Sequence, residues 1–194
     1  MVIEILSGVV VPLIGIFTNK EWKRWKRNKK VNQFRKSIEI NSQINIILAE
    51  IRAKYGFNRV SILDYHNGTE SLSGFSFKYS TMSYENTDNH TKDIITEFKN
   101  IPCSIVNNML VDLEHNPKGY VIDGIKNCPE SIAITHKMFG VDTAYNFRLG
   151  GSLIDGCLSC VYTHETTFQN ILNEEEILDI KSLCQKIYLI RRNK

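Results

Sequence analysis

The residues of this 194-residue chain best suited to chemistry fall in one stretch, Tyr65-His66-Asn67-Gly68, followed by Phe75, Phe77, Tyr79 and Glu85. His66 and Asn67 offer hydrogen-bond donors and acceptors without fixed charge. Gly68 and Gly74 leave room for a close approach by backbone or ligand. Tyr65, Phe75, Phe77 and Tyr79 supply stacking walls, while Lys78, Glu85 and the later Arg148 match charged groups. Together they fit noncovalent recognition of a small molecule. The same residues also fit a plain Asn-Gly turn over an aromatic core, with Asp64 capping the loop. The sequence leaves both readings open.

Catalysis is not expected. The five histidines, His66, His90, His115, His136 and His164, stand in separate segments. There is no H-E-x-x-H, no G-x-S-x-G and no phosphate-binding glycine loop. Cys103 or Cys128 with His66 would make a nucleophile pair, but nothing in the sequence brings them together. Cys157-Leu-Ser-Cys160 lacks the second cysteine pair or histidine pair that a zinc site uses, so no metal is expected. Five cysteines at irregular spacing read as reduced thiols with packing roles. The sequence leaves the cofactor open.

These residues need elements to hold them. Residues 37–55 predict a helix, with Ile40, Ile44, Ile47, Leu48 and Ile51 at spacings of three and four, ended by Gly56. Residues 58–65 (NRVSILDY) predict a central strand, and residues 75–84 a second one. On that second strand Phe75, Phe77 and Tyr79 point one way and Ser76, Lys78 and Ser80 the other. Residues 91–113 predict one or two helices interrupted at Pro102. A short strand at 120–122, a helix at 129–139 and a hairpin of 142–149 with 154–163 follow. Asn173 predicts the N-cap of a closing helix to about residue 191, with Glu174, Glu175 and Glu176 in its first turn. Helices bracketing an antiparallel sheet make an α+β fold.

The N-terminus carries a different signal. Residues 5–19 are uncharged and largely apolar, and meet a basic segment at 20–36 of net charge +8 against +3 for the whole chain. The apolar run is expected to be a transmembrane or membrane-anchor helix, short for a full span unless residues 1–3 contribute. Trp22 and Trp25 would sit at headgroup depth among Lys23, Arg24, Lys26 and Arg27. The charge follows the apolar run, which places residues 37–194 in the cytoplasm and argues against a cleaved signal peptide. Lipid phosphate is the expected partner of this segment rather than nucleic acid. The expected organisation is therefore an anchor at 1–19, a basic juxtamembrane segment at 20–36 and one domain at 37–194.

Over roughly residues 37–192 the pattern resembles a GAF domain, the small-ligand sensor fold related to PAS. The matching features are the long first helix, the RVSILDY strand and the helical insertion. The TAYNFRL and GCLSCVYTHETTF pair and the EEE-led closing helix match as well. The resemblance implies a ligand between the sheet and the inserted helices. The segment Tyr65-His66-Asn67-Gly68…Gly74-Phe75…Tyr79-Ser80…Tyr84-Glu85 is similar to a motif of small membrane-anchored proteins of large tailed bacteriophages, some labelled holin-like. That resemblance implies a setting at the inner membrane of a bacterial host.

The leading expectation is thus a membrane-tethered cytoplasmic sensor or regulator that binds a small molecule or protein partner. The alternatives are a non-catalytic scaffold assembling at a membrane and a holin-like lysis protein. A homodimer or higher oligomer is expected through the two terminal helices. Ile44 and Ile47 are placed at that interface, so aspartates there are expected to give a monomer.

Overall fold

The computed structural model describes residues 2–66, 78–124, 128, 130–150, 154–163 and 172–192, and for residues 2–19 the helical backbone only. The chain divides into two compact units, Met1–Ser42 and Gln43–Asn193. A single helix, α1 (Val2–Tyr55), takes in the basic segment and the predicted amphipathic helix without a break.

In the first unit the apolar run at 5–19 lies outside the described side chains. Among the described residues no helix is long and apolar enough to cross a membrane. Trp22 and Trp25 stack with ring centroids 5.0 Å apart, and both are exposed. Lys26 and Lys29 lie over them, at 5.0 and 5.3 Å from the Trp22 and Trp25 rings. Lys23, Arg24 and Arg27 are exposed beside them.

The second unit is built on a six-stranded antiparallel sheet of order β3-β2-β1-β6-β5-β4. Its strands are β1 (Arg59–His66), β2 (Tyr79–Thr87), β3 (Ile101–Pro102), β4 (Tyr120–Gly124), β5 (Val141–Gly150) and β6 (Ile154–Thr163). The helices are the end of α1, then α2 (Asn107–His115), α3 (Glu130–Met138) and α4 (Glu174–Arg192). Gly56, at φ +69°, lets the chain leave α1. α4 starts with a reciprocal cap, in which Asn173 Oδ1 accepts the Glu176 N–H and the Glu176 carboxylate accepts the Asn173 N–H.

One face of the sheet carries the terminal helices. Ile44, Leu48 and Ile51 of α1 are fully buried, each worth about 1.5–3 kcal/mol. Ile177, Ile180, Cys184 and Ile187 of α4 are buried as well. Asp179 joins the two helices by accepting from Lys54 (2.8 Å) and from the Tyr55 hydroxyl. Arg191 reaches Asp64, which also accepts from Ser83. Asp64 therefore anchors α4, and the loop that follows β1 lies outside the described residues.

Ile44 and Ile47, at 0% and 3% exposure, already belong to this core. Aspartates at both would unfold the domain and report nothing about an interface.

The other face is covered by the insertion between β2 and β5. Two predicted boundaries move here. The stretch before Pro102 is not helical; Pro102 instead sits in the edge strand β3, where its missing N–H costs no ladder bond, and α2 begins only at Asn107. The second strand starts at Tyr79, so Phe75 and Phe77 lie outside the described residues.

Candidate functional site

The β1 sequence alternates. Val60 and Ile62 face the terminal helices, while Arg59, Ser61, Leu63 and Tyr65 face the insertion. Register carries that alternation across the sheet. One row on the insertion side reads Glu85–Ser61–Ser159–Asn146, across β2, β1, β6 and β5. Arg59, Val161 and Ala144 form the row on one side of it, and Met82, Leu63, Cys157 and Arg148 the row on the other. A buried polar row thus crosses the floor between two largely apolar rows that end in Arg59 and Arg148.

Over this floor lies a cavity of ≈ 80 Å³. Ile94, Phe98, Met109, Ile132, His136 and Phe139 supply much of its roof. A second hollow of ≈ 290 Å³ shares Arg59, Ile94 and Phe139 with it and adds Thr91, Lys92, Glu97 and Thr163. Arg59 stands between the two.

Arg59 is 2% exposed. Its Nε lies 3.0 Å from Glu85 Oε1, and its Nη2 donates to the Lys92 carbonyl at 2.8 Å. Its Nη1 has no hydrogen-bond partner. Burial draws the Arg59 pKa down and the Glu85 charge opposes this, but a guanidinium stays charged. Glu85 also accepts the Ile94 and Ile95 N–H groups, at 3.0 and 2.8 Å. The ion pair therefore ties the start of the insertion to the sheet. His136 is buried in the roof, and that burial lowers its pKa, so the imidazole is neutral at pH 7. Cys128 Sγ lies 3.9 Å from His136 Nδ1.

The structure separates the residues singled out from sequence. Tyr65 is buried on the insertion face, where burial pushes its hydroxyl pKa up. Glu85 lies on the same face and is committed to Arg59 and the backbone. Arg148 stands opposite Cys157 in the β5–β6 register and pairs with Glu114 at 3.6 Å. His66 and Tyr79 are on the other face, with ring centroids 6.1 Å apart, and His66 Nε2 bonds Thr81 Oγ1 at 2.8 Å. Asn67, Gly68, Phe75 and Phe77 lie outside the described residues.

The split has a clear cause. β2 carries a bulge at Ser83, opposite the Ile62–Leu63 step. Glu85 lies six positions after Tyr79, an even offset that strict alternation puts on one face. One extra residue turns Tyr79 away and brings Ser80 and Met82 inward.

Arg59, Ser61, Asn146, Ser159 and His136 were not singled out from sequence. A signal existed for two of them: a charge and a hydroxyl two residues apart, Arg59 and Ser61, in a strand otherwise apolar enough to be central.

Among the described residues no three His, Cys, Asp or Glu side chains gather as a metal site. The five cysteines are free thiols, and Cys157 and Cys160 face opposite sides of the sheet.

No protein-family model matches the sequence. No curated protein matches it either. Solved structures do match in fold. The blue-light absorbing form of the PixJ GAF domain of Thermosynechococcus elongatus superposes with a TM-score of 0.60 at 13% identity, covering 80% of this chain and 86% of that one. A phycocyanobilin-bound GAF domain from a cyanobacterial phytochrome gives 0.61 at 15% identity, covering 82% and 87%. A GAF domain/HD domain protein from Geobacter sulfurreducens gives 0.58 at 8% identity, covering 78% and 90%. A six-stranded antiparallel sheet with terminal helices on one face and an insertion over the other is, by these superpositions, a GAF-like fold.

Proposed function

We propose that this chain is a non-catalytic sensor or regulator, tethered to a membrane, whose GAF-like domain binds a small molecule between the sheet and the insertion. The observation that carries the reading is the buried Arg59, whose Nη1 lacks a partner at the junction of two cavities. A buried donor without a partner costs about 1–3 kcal/mol, which a ligand acceptor would recover. The phycocyanobilin-bound GAF domain supports a ligand-binding use of the fold. The inner cavity of ≈ 80 Å³ is well below the roughly 300–1,000 Å³ of drug-sized sites, so a smaller molecule than a bilin fits this site.

The tether is supported by the exposed Trp22–Trp25 stack flanked by cations. Self-association through the outer faces of the terminal helices is supported by Ile46, Leu178 and Leu189, which are exposed.

Native mass spectrometry of the purified full chain tests the binding role. A reproducible mass excess over the denatured chain, removed by Ala144→Leu in the cavity floor, is the expected result. Equal masses, with no metabolite pool raising the Tm, would refute it. Flotation with anionic vesicles tests the tether. Replacing Trp22 and Trp25 by Ser and Lys23, Arg24, Lys26 and Arg27 by Gln should reduce binding by orders of magnitude, at about 1 kcal/mol per cation. Unchanged flotation would remove this segment from the tether.

A further inference from the structure

We infer that the ligand of this site is a small uncharged amphiphile, with a branched aliphatic body in the inner cavity and a carbonyl or amide head held by Arg59 and Thr91. The inference rests on the small-molecule reading above and adds the ligand's class.

The size of the body follows from the inner cavity. An apolar cavity of about 150 Å³ accommodates a six-carbon ring. At ≈ 80 Å³ this one takes about three or four carbons. Its walls are apolar except for Arg59, the row of Ser61, Ser159 and Asn146, and Thr135 and the neutral His136 from α3.

The head follows from the groups at the junction. Arg59 Nη1 can only donate, so it calls for an oxygen acceptor. Thr91 Oγ1 is also buried, lines the outer hollow and lies beside the Asp88 carboxylate, which leaves its lone pairs for a ligand N–H.

Charge decides between a neutral and an ionised head. The Arg59 charge is already matched by Glu85 at 3.0 Å, and Lys92 is matched by Glu97 at 2.5 Å. Asp88 and Asp93 add further negative potential at Arg59. His136 supplies no positive charge at neutral pH. A carboxylate or phosphate head would therefore stand near Glu85 with no uncompensated cation, in a buried setting where that is costly. An ammonium head would face Arg59 itself.

The test is an NMR titration of the full chain with isovaleramide and its isosteric anion, isovalerate. The amide should bind, and the anion should bind at least about tenfold more weakly. Thr91→Val, which keeps the side-chain shape, should weaken the amide about fivefold, the ratio for one net hydrogen bond. Ala144→Leu should abolish binding with the Tm retained, because it fills the floor of the inner cavity.

If isovalerate binds as tightly as the amide and Ala144→Leu blocks both, the uncharged-ligand inference falls and the cavity reading stands. If neither probe binds while a native mass excess persists, the inference also falls alone. If neither binds and no mass excess exists, both fall.

Discussion

Glu85→Gln should destabilise the domain far more than a one-atom change at a surface would. The side chain is 2% exposed and carries three interactions: the Arg59 ion pair at 3.0 Å and the N–H groups of Ile94 and Ile95. Glutamine keeps the volume but loses the charge. One of its two terminal positions becomes a donor, so it cannot accept on both sides as the carboxylate does. Arg59 is then left buried and uncompensated. Breaking one side of a buried pair costs about 3–5 kcal/mol, and for a unit of this length that lowers the Tm by roughly 10 °C. Chemical denaturation of the full chain measures the loss. Amide exchange locates it, because Ile94 and Ile95 should exchange faster than amides of the central strands. The double variant Arg59→Met/Glu85→Met should recover the part lost to the uncompensated charge, but not the part lost with the acceptor of the Ile94 and Ile95 N–H groups. In the cycle built with Arg59→Met and Glu85→Met, the coupling should reach at least about 2 kcal/mol. A Glu85→Gln cost below about 1 kcal/mol, or additive effects in that cycle, would refute the view that this pair fastens the insertion to the sheet.

The close pass of β6 against β1 gives a second expectation. A Cβ on Gly156 would press on the Leu63 carbonyl oxygen, which is backbone and cannot swing aside. Gly156→Ala should therefore cost about 1–3 kcal/mol in denaturant unfolding, and an unchanged midpoint would contradict the strand spacing. His136 sets a pH dependence. Burial holds its folded pKa below the usual 6.5, so the unfolded chain takes up a proton first as the pH falls. Stability should decline below about pH 6.5, and His136→Phe should flatten that part of the profile. A slope unaffected by the substitution would mean that His136 does not titrate differently on folding.

Local signals were legible wherever one short segment decides the outcome. The stripes at Ile44, Leu48 and Ile51 and at Ile177, Ile180 and Ile187 are helical periodicities, and each is buried. The cap at Asn173 needed only its own side chain and Glu176 three residues on. The strand pair Val141–Gly150 and Ile154–Thr163 lies within one residue of its predicted limits. The insertion was less legible, because its backbone geometry depends on what it packs against. The segment before Pro102 reads as helix by propensity, yet only one turn forms at Ile94–Phe98, after which the Phe98 carbonyl is taken by the Met82 N–H and Asn100 turns the chain at φ +53°.

The site shows the same division. The sequence by itself determined a central strand at Arg59–His66, an α+β architecture and a concentration of positive charge at 20–36. Those are properties of composition and of periods two and 3.6, which a chain carries wherever it folds. Only the tertiary structure decided which face of each strand meets the insertion. A single bulged residue at Ser83 reverses the alternation, turning Tyr79 toward the terminal helices and Ser80 and Met82 inward. Only register places Ser61 in one row with Ser159 and Asn146, since Ser61 lies more than eighty residues before the other two, which share a hairpin. And only folding buries Arg59 with its Nη1 left without a hydrogen-bond partner, a consequence of packing that no local pattern encodes.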